Sequence, residues 1–121
     1  MIGKYIGTLL TSRTQAHILH LQTTSYAKHK ALGGYYEGIG DLIDGIVESY
    51  QGSYGIISNY ENVIPTFQLS DEAQILSYFE LLDKTLYDMR KDLPQDTYLQ
   101  NQYDEVCAFL YTTIYKLKFL N

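Results

Sequence analysis

Tryptophan is absent, cysteine occurs once and proline only twice among the 121 residues. A single thiol, Cys107, closes no disulfide and builds no cysteine-based zinc site. It lies in the apolar stretch Val106 to Leu110 and reads as an inert core thiol. So little cysteine is consistent with a reducing compartment. Basic residues are also scarce: nine Lys and Arg face fourteen Asp and Glu, for a net charge of −5. That balance excludes a dominant electrostatic grip on nucleic acid or an anionic membrane. No apolar run reaches the ~18 residues of a membrane-spanning helix. Residues Met1 to Tyr5 lack the apolar stretch and cleavage site of a secretory leader, so a cytoplasmic protein is expected. What remains is 45% hydrophobic and 19% charged, a globular composition. The length fits one domain over residues 1–121, able to bury roughly two-thirds of its unfolded surface.

The chain is rich in tyrosine, with 13, and all three histidines fall within its first 29 residues. Apolar periodicity predicts four helices. Ile2, Ile6, Leu9 and Ala16 share a face of the first, over Lys4 to Leu21, with Gly3 and Gly7 as its only breakers. Thr23, Thr24 and Ser25 form a polar turn that caps the second. Its stripe is Leu32, Tyr36, Ile39, Ile43, Ile46 and Tyr50, and Gly52 is the expected end. Gly33, Gly34, Gly38, Gly40 and Gly45 oppose that helix by up to ~1 kcal/mol each. The rival reading is a loop or strand with tight turns; the sustained stripe outweighs it. Glycines on a helix let another backbone approach, so they predict a tight helix–helix contact. Ser70 is the expected cap of the third helix, whose stripe is Ile75, Phe79, Leu82, Leu86 and Met89. Pro94 ends it. The fourth starts near Asp96 or Thr97, with Leu99, Tyr103, Val106, Leu110, Ile114 and Leu117 facing inward. Residues 53–69 make a long connection between helices two and three. The expected fold is all-α, a four-helix bundle of two hairpins joined by a crossover.

His17, His20, His29, Glu37, Asp41, Asp44 and Glu48 are the candidate ligands, a donor mix suited to iron, zinc or manganese. His17 and His20 stand one turn apart. Asp44 and Glu48 are four apart and can grip one ion together. His29 and Asp44 are fifteen positions apart on one helix, hence ~22 Å along its axis. Metal bonds to N or O are about 2 Å long. One helix therefore cannot bring both to one ion. A two-fold pair of antiparallel second helices can, with two equivalent sites per pair. The other common design, a di-iron bundle within one chain, needs Glu-x-x-His on two helices. No histidine follows His29, which disfavours it.

The stretch from His17 to Gly52, with His20, His29 and the Asp-Leu-Ile-Asp-Gly-Ile-Val-Glu run, resembles the Dps-like branch of the ferritin superfamily. It is similar, more narrowly, to short ferritin-like proteins of tailed phages. The resemblance implies a ferritin-like four-helix bundle and a homo-oligomer built on two-fold pairs, with a dodecamer as its larger form. It implies an iron-oxidation site between chains, with His20 and His29 from one and Asp44 and Glu48 from the other; His17, Glu37 and Asp41 are weaker members. Three departures stand out. The family's acid one turn after the second histidine falls on Gly33, and Glu37 is the nearest substitute. The turn between the histidines is shorter, and Leu21 stands where tryptophan is common. The lysine-rich tail of DNA-binding members is absent. A ferroxidase-like enzyme is thus one expectation. The other is a non-enzymatic structural or assembly protein, in host cytoplasm or virion, with other phage particle proteins as partners.

The plain readings are these. His17 packs or hydrogen-bonds. Asp44 and Glu48, like Glu37 and Asp41, form a solvated face. Tyr35, Tyr36, Tyr78, Tyr87, Tyr103, Tyr111 and Tyr115 are core and interface aromatics with a wet hydroxyl.

Overall fold

The computed structural model describes all 121 residues, and four helices carry most of them. Helix α1 spans Ile2–Gln22, α2 Tyr26–Tyr54, α3 Ala73–Met89 and α4 Thr97–Phe119. No strand forms. The predicted stripes face one apolar core, which also holds Tyr5, Tyr35 and Tyr78; Ile2, Tyr36 and Tyr50 pack against it only partly buried.

Cross-helix contacts give the directions. Ser12 meets Tyr35 and His20 meets His29, so α1 and α2 are antiparallel. The Phe109 ring lies over Gly38, and Gln102 Nε2 donates to Gly45 O at 3.0 Å, so α2 and α4 are antiparallel. Arg90 binds Gln100 and Tyr111 binds Asp83, so α3 and α4 are antiparallel. The connection from Gly55 to Glu72 climbs the whole of α1. Glu61 N donates to Gly3 O, Val63 N to Thr8 Oγ1, Phe67 N to Gln15 Oε1 and Leu69 N to Gln22 Oε1. It carries the chain back to the end where α2 began. The helices therefore run up, down, down, up.

Several boundaries differ from expectation. Gly52 does not end α2; the helix continues to Tyr54, and Gly55, at φ +96°, ends it. Ser70 does not cap α3. The Gln74 side chain accepts from the amides of Ser70 and Asp71, and Asp71 Oδ1 accepts from Ala73 N. These bonds hold a turn there, and the helix begins three residues later. Ser25 does cap α2, its Oγ accepting from Lys28 N at 3.3 Å.

Four glycines of α2 face side chains of the same chain, and Gly34 and Gly52 face open space. A Cβ on Gly33 would press on His20, on Gly38 against the Phe109 ring, and on Gly40 and Gly45 would touch Arg13 and Gln102. The closest backbone approach is elsewhere, at Gly3 and Gly7. There a Cβ would fall inside the crossover backbone at Asn59 and Glu61.

Candidate functional site

The three histidines gather where α1 ends and α2 begins. Each of two rings reaches the other's backbone. His20 Nδ1 lies 2.6 Å from His29 O, and His29 Nδ1 lies 2.8 Å from His20 O. A carbonyl only accepts, so each Nδ1 carries the proton, and the neutral ring presents its lone pair at Nε2. The rings stack with centroids 3.7 Å apart and planes 17° from parallel. His29 also satisfies a carbonyl in the last turn of α1, where intrahelical donors run out. Gly33 is the seat of this pair: a Cβ there would lie 3.2 Å from His20 Cε1 and 3.3 Å from Nδ1. Both rings are half-buried.

His17 is exposed and stacks on Tyr36 at 4.2 Å, and Tyr36 meets the His20 ring edge-on at 5.2 Å. Tyr36 and Arg13, whose Nε donates to Tyr36 O at 2.9 Å, also belong to this cluster, though neither residue type marks a metal ligand in the sequence. The spacing of His29, Gly33, Tyr36 and Gly40, steps of four and three, was the available signal.

The four acids form a separate feature. Glu37, Asp41, Asp44 and Glu48 follow one another at helical spacing along the exposed face of α2, with no hydrogen bond or ion pair within the chain. The histidine pair sits at the other end of that helix. Within one chain, no group of three or more His, Cys, Asp or Glu side chains converges as an ion would need. Cys107 is half-buried beside Asp83, and burial first, then that carboxylate, pushes its thiol up from the usual value. Thiolate is thereby disfavoured, as an inert thiol requires.

Residues 20–117 match the family of unknown function DUF5856. The chain belongs to that family. It is also similar to an uncharacterized 14.6 kDa protein encoded in the mobD-ri intergenic region of Enterobacteria phage T4. The two are 29% identical over 114 residues, 94% of this chain and 85% of the relative. No solved structure matches. The DUF5856 span opens on His20 and takes in His29, Glu37, Asp41, Asp44 and Glu48; His17 lies outside it. No helix of this DUF5856 protein is long and apolar enough to cross a membrane.

Proposed function

We propose that this DUF5856 protein is a phage-type, ferritin-like bundle that binds a metal ion between two-fold-related copies. The course of the helices and the long crossover along α1 support the ferritin-like reading. One observation carries the metal reading. Both Nδ1 atoms of the His20–His29 pair are engaged by carbonyls, which fixes the tautomer and leaves both Nε2 atoms free to ligate. Asp44 and Glu48 are exposed and unpartnered in their own chain, so they are free to serve a neighbour. Charge favours the pairing. Helix α2 carries Lys28, His29 and Lys30 in its first turns and three of its four acids, Asp41, Asp44 and Glu48, in its second half, so antiparallel copies oppose unlike charges. Two imidazoles and two carboxylates suit iron, zinc or manganese. In a Dps-like reaction ferrous iron is the substrate, each ion giving one electron to oxygen or peroxide.

The test is metal content by mass spectrometry on natively purified protein, with molar mass by light scattering. One or two ions per chain pair, absent in Glu48→Ala while the helical signal stays, is the expected result. Equal metal in that variant overturns the assignment.

Gly33 favours a second reading. The space after His29 where Dps-like proteins hold an acid is filled by the His20 ring. On this reading the pair is a clasp between α1 and α2, and the bundle is a structural or assembly component of a phage particle, in host cytoplasm or virion. It predicts no metal even after ferrous iron or zinc is offered, and co-purification with particle proteins.

A further inference from the structure

The outer groove between α3 and α4 carries an aromatic ridge that the metal site does not use. Tyr87, Tyr111, Tyr115 and Phe119 run along it and are 66%, 53%, 53% and 67% exposed. The groove beside them holds about 440 Å³. Its α3 edge is acidic at Glu80; its α4 edge is basic at Lys118. Neither forms an ion pair in its own chain, whose two bridges are Lys84–Asp88 and Arg90–Asp104.

We infer that this groove is a surface through which two copies of the chain associate about a two-fold axis. Two observations choose a second copy as the occupant. The face is self-complementary in charge: an axis along the groove lays the lysine edge of each copy over the acidic edge of the other. It is also large enough. An aromatic side chain covers about 150–250 Å², so four at these exposures supply about 450 Å² per copy. The pair reaches the ~1,000 Å² expected of a specific interface once its polar rim is added. Tyr111 is held for the role, its hydroxyl donating to Asp83 Oδ2 at 3.0 Å. The surface is separate from the acid-bearing face of α2, so the two together build beyond a dimer.

The test is a charge swap read by light scattering over a dilution series. Glu80→Lys and Lys118→Glu should each weaken association by about tenfold, because like charges then face each other. The chain carrying both changes should recover it. Phe119→Glu should remove this association step, with circular dichroism confirming an intact bundle. A wild-type protein that stays monomeric, a mass indifferent to Phe119→Glu, or a double swap no better than the single changes would each overturn the proposal.

Discussion

His20 and His29 are tied so that neither can be removed alone without disturbing the other. Each ring satisfies the other's carbonyl, and the stack needs both. His20→Ala and His29→Ala should therefore cost about the same, about 1–2 kcal/mol each by urea unfolding. The double variant should cost less than the sum, because the stack is lost once and counted twice. A coupling energy of about 0.5–1.5 kcal/mol is expected from that cycle. Strict additivity would mean that the rings act independently. These two positions were legible as candidate ligands because residue type and spacing are visible in a sequence. Their engagement with backbone carbonyls was not, since it depends on the angle at which two helices meet.

At the scale of the helix, the glycines divide by what their missing Cβ would touch. Gly7 lies under the crossover at Glu61, where backbone cannot yield as a side-chain tip can. Gly34 faces open space on an exposed turn of α2. Gly7→Ala should therefore destabilise the fold by about 1–3 kcal/mol, as overpacking does. Gly34→Ala should stabilise it by about 0.5–1 kcal/mol, since alanine lowers the entropy lost on forming a helix. Thermal melts of the two variants should move in opposite directions, and a common direction would refute the division. The same contrast marks what the sequence discloses. The apolar stripe of α2 is a local period of one helix and survived five glycines. What each glycine faces is a long-range fact. Gly3 and Gly7 read as simple breakers because their partner, the crossover, lies more than fifty residues away. The start of α3 slipped for a nearer reason. Ser70 and Asp71 have capping side chains, but Gln74 claims their amides first.

The whole molecule is a tyrosine-filled bundle, and two consequences belong to that scale. Burial pushes the hydroxyls of Tyr5, Tyr35 and Tyr78 well up from the usual tyrosine value, and that of Tyr103 up to about 12. An unfolded chain releases these protons near pH ~10. Between that pH and the folded values the native state holds protons that the unfolded state has lost, so stability falls as pH rises. The loss approaches about 1.4 kcal/mol per pH unit for each such tyrosine. Circular dichroism should show unfolding setting in above pH ~10, and Tyr78→Phe should delay it. The second consequence tests the two-fold metal site without a structure of the complex. A chain with His20→Ala and His29→Ala keeps its acids; one with Asp44→Ala and Glu48→Ala keeps its histidines. If one copy supplies histidines and the other carboxylates, neither variant alone binds metal. In an isologous pair of unlike variants, one site receives both defects and the other receives none. Unfolding and refolding the two together in equal amounts makes half the pairs mixed, so about a quarter of the wild-type metal should return. A site built within one chain would return nothing on mixing, because every chain would remain broken.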